Sequence, residues 1–157
     1  MLHLHLGKEG FAVWYTPPQR GSLLFSENLG IPCGEADLPA MVWKASKKGL
    51  WVYALKGNRR PAVSTRLYHA PFFNVYANGS VCMGTAVFDM EDIAGLESFM
   101  EEWQTCFFRS YFSHAMQGHV PVRRNMVSLW KGLVGTCLKF PGEILIPSGV
   151  TLKQLLS

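Results

Sequence analysis

The run Asn74-Val75-Tyr76-Ala77-Asn78-Gly79-Ser80-Val81-Cys82 holds the residue types that acyl transfer needs. Such a site requires an exposed thiol on a loop, a donor for the oxyanion, and a backbone fixed tightly enough to present both. Cys82 supplies a thiol and Asn74 an amide. Asn78-Gly79 is a tight-turn pair, because both positions tolerate positive φ. A turn there folds the chain back so that Asn74 and Cys82 approach each other. Asn74 has a second reading, as a turn residue whose side chain bonds nearby backbone without doing chemistry. Tyr76 and Ser80 either line such a site or fill its loop.

The other chemistry-bearing residues read more plainly. Cys33, Cys106 and Cys137 are spread out with no Cys-x-x-Cys pair, and a lone cysteine is usually buried and inert. Cys106 adjoins an apolar helical stripe and reads as core. The spacing suggests reduced thiols in a cytoplasm, not a disulfide frame. His3, His5, His69, His114, His119 and the four cysteines match no zinc spacing, so neither a metal nor a cofactor is expected. His69 reads as structural. His114 near the end of a helix reads as a cap on the negative dipole or as a base beside the thiol.

The elements that must position these residues follow from periodicity. In the first half, Leu2, Leu4 and Leu6 alternate with His3 and His5. Phe11 to Thr16 is β-prone, and Gly21 to Phe25 is expected to pair with it. Glu27 to Leu38 reads as a loop, for Gly30, Pro32 and Gly34 punctuate it. Met41 to Ala45 and Leu50 to Leu55 predict neighbouring strands turned by Lys47-Lys48-Gly49. From His69 to Gly84 the chain reads as a shaped loop. In the second half, Ile93, Leu96, Met100, Trp103 and Phe107 line one helical face, with Asp89 and Asp92 as start signals. That helix is expected to run on through Tyr111 to His114, before Gly118 and Pro121 stop it. A shorter helix is predicted over Arg124 to Leu133, then a short strand and a terminal turn or helix. Strands, loop, helices is the order of an α+β fold, an antiparallel meander with helices on one face.

At 157 residues the chain fits a single domain, 1–157. With 48% hydrophobic and 17% charged residues, disorder is not expected. The net charge of +4 comes from short groups such as Lys47-Lys48, Arg59-Arg60 and Arg123-Arg124. Aromatics are not interleaved with them as in a nucleic-acid groove. No targeting segment and no bilayer-spanning run is read, which places the expected site of action in the cytoplasm.

The segment resembles the active-site region of ubiquitin-conjugating enzymes. There a His-Pro-Asn motif precedes an Asn-Gly-x-Ile/Val-Cys run, with the motif Asn eight residues before the catalytic Cys. Asn74 stands eight positions before Cys82, and Asn78-Gly79-Ser80-Val81-Cys82 matches the second part. His69, Pro71 and Asn74 spread the first part over six residues. Leu50-Trp51-Val52-Tyr53, Pro71-Phe72-Phe73-Asn74-Val75, Val81-Cys82-Met83-Gly84 and Phe108-Arg109-Ser110-Tyr111-Phe112-Ser113-His114 resemble a prokaryotic branch, the PRTRC system protein B family. This likeness covers about residues 40 to 115. It implies a UBC-like fold, a histidine after the cysteine (a place His114 fits), and three partners: a ThiF-like activating enzyme, a ubiquitin-like protein and a JAB-type peptidase. Two departures stand out. No amphipathic helix is read before the first strand, and the usual Trp and Pro after the cysteine are missing.

The expected activity is thioester transfer on Cys82, with Asn74 holding the oxyanion and His114 assisting the acceptor amine. Two alternatives stay open. The fold could bind a ubiquitin-like protein without transferring it, or Cys82 and His114 could hydrolyse a thioester or peptide.

Overall fold

Alternation of side chains builds the sheet. In β2 (Phe11–Thr16), β5 (Met41–Ser46) and β6 (Gly49–Ala54), one set of alternate residues faces the main core: Ala12, Trp14, Met41, Trp43, Ala45, Leu50, Val52 and Ala54. The computed structural model describes residues 1–83 and 94–157. With β1 (His3–His5), β7 (Arg66–His69) and β8 (Pro147–Thr151), these strands form a six-stranded antiparallel sheet ordered β1-β2-β5-β6-β7-β8. Lys47-Lys48 turns β5 into β6, so that Ser46 faces Gly49 and Trp43 faces Val52. The fold is α+β with a curled antiparallel meander, as the resemblance implies.

One pairing departs from expectation. Residues Gln19–Leu23 (β3) pair with Gly34–Leu38 (β4) in a separate two-stranded sheet, not with β2. The loop read over Glu27 to Leu38 therefore ends in a strand. Its alternation is carried by small and acidic residues, with Ala36 and Leu38 buried and Glu35 and Asp37 turned to Arg20 across the ladder. The edge of β2 is instead filled by six matched pairs with β5.

α1 (Leu96–Arg109) buries Trp103 and Phe107 on the sheet side, with Leu96 and Met100 half-buried against the core. Ile93, Asp89 and Asp92, read as its beginning, lie outside the described residues, as does Gly84. The helix stops at Arg109 and does not reach His114. Ser110 turns extended, and Phe112 is recruited by backbone bonds to Leu24 and Ser26 at 2.9 Å each. α2 (Met126–Leu133) buries its expected face, Met126, Leu129, Trp130 and Leu133, behind an Asn125 cap. α3 (Leu152–Leu155) follows β8 behind a Thr151–Gln154 capping box.

Helices meet both faces of the sheet, not one. The second face carries a smaller cluster in which Val13, Val42, Tyr53 and Leu67 meet Leu152 and Leu155. At the centre, Trp43 stacks on Trp14, meets Phe107 edge-on with ring centres 5.3 Å apart, and donates from Nε1 to the Thr16 hydroxyl at 3.0 Å. Among the described residues, no helix is long and apolar enough to cross a membrane.

Candidate active site

The segment around Cys82 is a hairpin docked on a sheet edge. Strand β7 pairs with β6 only at Tyr53 and Ala54, which leaves the first half of β6 with an open edge. Residues 79–81 fill it: Val52 donates to the Gly79 carbonyl at 2.8 Å and Val81 to the Leu50 carbonyl at 2.9 Å. The chain then folds back on itself. Tyr76 donates to Ser80 at 2.8 Å, Val75 faces Val81, and Cys82 donates to the Asn74 carbonyl at 2.8 Å.

The turn differs from the expected pair of positive-φ residues. Gly79 alone is left-handed in it (φ 82°), closing a three-residue loop over Ala77, Asn78 and Gly79 in which Gly79 donates to the Tyr76 carbonyl. Asn78 acts through its side chain, whose Oδ1 accepts from the Ser80 amide and hydroxyl at 3.0 and 2.6 Å. Gly79 is required twice over. A Cβ there would lie 2.5 Å from the Tyr53 ring, whose hydroxyl donates to the Asn78 carbonyl at 2.6 Å.

Asn74 joins three segments. Its backbone is left-handed (φ 64°), a region Asn tolerates better than other side-chain-bearing residues. It accepts from Cys82, donates from its amide to the His114 carbonyl at 3.1 Å, and donates from Nδ2 to the Tyr111 carbonyl at 3.2 Å. Its Oδ1 is buried without a hydrogen-bond partner. The side chain is thus engaged with the strap 111–114.

An aromatic wedge holds this arrangement from below. Phe72, Phe73 and Val75 are buried, and Phe72 stacks on Trp130 of α2 with ring centres 5.4 Å apart. Trp130 Nε1 donates to the Pro71 carbonyl at 2.9 Å inside the core. The helical half of the chain thereby grips the residues immediately before Asn74.

The structure brings Cys82, Asn74 and His114 together through their backbones. Cys82 is half-buried beside the hairpin, and His114 is exposed, its Nδ1 hydrogen-bonded to the Ser113 hydroxyl at 2.8 Å. Since the helix ends five residues earlier, at Arg109, His114 is not a helix cap. The remaining cysteines differ from their bland reading in two cases. Cys33 and Cys137 are exposed, whereas Cys106 is half-buried and its thiol is pushed up by burial and by Glu102. His69 ends β7 with its ring edge-on to His119 at 4.7 Å, and burial lowers both imidazoles.

Tyr76 shares the ribbon face of Cys82, which the sequence alone did not show. Interaction with the Cys82 side chain raises its phenol above the ordinary value. Counting back from Cys82 in steps of two across a three-residue loop puts Tyr76 on the thiol's face. Among the described residues, no cluster of three or more His, Cys, Asp or Glu could hold a metal ion.

The prokaryotic E2 family D matches residues 2–148. The chain belongs to that family. The match covers nearly the whole sequence, well beyond the middle portion on which the resemblance was read. No curated protein and no solved structure matches it. A prokaryotic E2 has a ubiquitin-conjugating-like role in general, alongside an activating enzyme and a ubiquitin-like protein.

Proposed function

We propose that this prokaryotic E2 carries a ubiquitin-like protein as a thioester on Cys82 and passes it to an acceptor nucleophile. The observation that supports this most is the continuous backbone relay from His114 to Asn74 to Cys82, which ties the segment bearing His114 to the hairpin that carries the thiol. A ThiF-like activating enzyme supplies the cargo, and a JAB-type peptidase acts in the same PRTRC-type system.

The Cys82 thiolate attacks the carbonyl carbon of the activating enzyme's thioester. The new C–S bond forms, the carbonyl electron pair moves to oxygen, and collapse expels the donor thiolate. This exchange is nearly balanced, thiol for thiol. Aminolysis is harder, because a lysine ammonium with a pKa of about 10.4 must lose its proton before attacking. In this reading the exposed His114 imidazole takes that proton. Asn74 serves by architecture: with its amide on the Tyr111 carbonyl, it holds the strap bearing His114 against the Cys82 hairpin.

The test is incubation with the activating enzyme, the ubiquitin-like protein and ATP. Wild type should form an adduct that a thiol reductant cleaves, and Cys82→Ala should form none at that position. Cargo binding of equal strength in wild type and Cys82→Ala, with no adduct, would make the chain a binding module. Release of free cargo faster than an amine can capture it would make it a hydrolase. Either result overturns the transfer reading.

A further inference from the structure

Basic residues that stand in short groups along the sequence are gathered by the fold beyond the end of β6. The loop that leads from Ala54 to β7 bounds a cleft of about 510 Å³. Lys56, Arg59, Arg60 and Arg66 line it, all four are exposed, and no Asp or Glu lines it. Among the described residues, none of the four forms an ion pair. The neighbouring cleft shares Lys56 and adds Arg20 and Lys139, but there the charge is met. Both cations reach Asp37, and Arg20 also reaches Glu35. The run of unmet charge therefore stops at Lys56. It lies apart from the acyl site, since the Cys82 hairpin bonds β6 at Leu50 and Val52.

The loop is fastened at several points. The Leu55 amide donates to the Ala40 carbonyl at 2.8 Å, and the Tyr15 hydroxyl donates to the Asn58 carbonyl at 3.1 Å. The Ala62 amide donates to the Thr65 hydroxyl at 2.9 Å, and the Lys153 amide to the Val63 carbonyl at 2.8 Å. Arg60 gives one N–H to the Met1 carbonyl and so acts partly as a brace. Between these anchors, the amides of residues 56–60 donate to no backbone carbonyl among the described residues. They remain available to an acceptor, as the side-chain cations do.

We propose that this cleft binds an anion bearing two or more linked phosphoryl groups, held by the Arg59 and Arg66 forks and by Lys56. A guanidinium presents paired N–H donors to two oxygens of one phosphoryl group, and an ammonium meets the same group as a point charge. Three arginines in one cleft call for a ligand dense in acceptor oxygens, which linked phosphoryl groups are. Four unpaired cations exceed what a single phosphate neutralises, and a diphosphate meets them more fully. The volume falls among small-molecule sites, roughly 300–1,000 Å³. A nucleic-acid strand needs cations that continue along its backbone, and here they stop at Lys56. Half-buried Tyr68 lines the same cleft and is the wall against which a base attached to the phosphates would stack.

The experiment titrates inorganic pyrophosphate into the whole chain by calorimetry at constant ionic strength. Binding should saturate with a Kd below about 1 mM. Arg59→Ala and Arg66→Ala should each weaken it by about ten-fold, the loss of a charge-assisted hydrogen bond. Arg66→Lys should recover part of that loss, because it restores the charge without the fork. Arg124→Ala removes one charge outside the cleft and should stay within about two-fold of wild type, since salt screens distant charges. Absence of saturable binding overturns the proposal. So does an Arg124→Ala loss equal to that of the cleft variants, which would mean attraction by net charge alone. A single-stranded oligonucleotide whose affinity exceeds that of pyrophosphate and grows with length would make the cleft part of a nucleic-acid face, and overturns it too. An acidic peptide that binds as tightly as pyrophosphate overturns the phosphoryl chemistry. A parallel titration with ADP separates the two sources of the ligand, and either outcome supports the site. Tighter binding than pyrophosphate, lost in Tyr68→Leu, identifies a nucleotide, and equal binding identifies the linked phosphates alone.

Discussion

The backbone amide of Cys82 donates to the carbonyl of Asn74 at 2.8 Å, and Asn74 makes that bond from a left-handed conformation. The positive φ lets one residue turn its carbonyl to the hairpin while its amide and side chain reach His114 and Tyr111. An asparagine at this place is therefore explained by geometry before any chemistry is invoked.

Asn74→Ala and Asn74→Gly separate the two. Alanine loses the amide bond and must hold a left-handed backbone, which together should cost about 2–3 kcal/mol. Glycine loses only the side-chain bond and should cost about 1 kcal/mol. At roughly 2–4 °C per kcal/mol for a chain of this size, thermal melts resolve the difference. If the two variants melt together, the backbone argument fails. Amine discharge rescued in glycine relative to alanine means architecture, and equal loss in both means that the amide itself contacts the acyl group.

Gly79→Ala should be more damaging than an ordinary turn substitution. The new Cβ would lie 2.5 Å from the Tyr53 ring in a backbone that already prefers glycine. The hairpin must then lift from β6, breaking the bonds at Val52 and Val81. A fall of several degrees in the melting temperature, with slower acylation of Cys82, is the expected outcome. Unchanged melting would mean that Tyr53 yields freely.

Much of this was legible beforehand, for reasons that individual residues show. Trp43 and Val52 announced adjacent strands because a half-buried ladder must alternate, and Met126, Leu129 and Leu133 announced a helix by their spacing. What escaped notice depended on distant partners. β4 hid its pattern in Ala36 and Leu38, which gain meaning only opposite Gly21 and Gln19. The helix end escaped because Phe112 is captured by Leu24 and Ser26, far away in sequence. Local periodicity carries no record of either. At the site, the eight-residue spacing of Asn74 and Cys82 was readable, yet the true loop length was not, and that length decides which face Tyr76 occupies.

The His69–His119 pair should make the fold less stable in acid. Burial holds both imidazoles below the ordinary 6.5, and His119 adds to the lowering of His69. The unfolded chain therefore binds protons first as pH falls through 6.5. Stability is retained above that value and falls below it, down to the lower folded-state values. Melting temperature should drop on acidification from neutrality through this window, and His119→Gln should flatten the dependence. A variant with the wild-type slope would remove the pair as its cause.

Cysteine reactivity should rank by environment. Cys106, half-buried and raised by burial and Glu102, should be the slowest of the four towards iodoacetamide at neutral pH. Cys33 and Cys137 are exposed, so Cys82 must be read by site-resolved mass and not by total thiol loss. If Cys106 outpaces Cys82, the nucleophile assignment fails.

Trp130→Phe tests whether the helical half governs the site. Phenylalanine retains the stack on Phe72 but removes the indole N–H, which leaves the Pro71 carbonyl without that donor inside the core. An unsatisfied buried acceptor costs about 1–3 kcal/mol, so melting should fall by a few degrees. The consequence for chemistry is more informative. Pro71 is three residues from Asn74, joined to it by two buried phenylalanines, so slack at Pro71 should reach the Asn74–Cys82 bond. Hydrogen exchange at the Cys82 amide should quicken in Trp130→Phe, and acyl discharge should slow although Trp130 touches no reacting atom. A variant that melts earlier but keeps wild-type exchange at Cys82 would show that the aromatic wedge stabilises the fold without bracing the site.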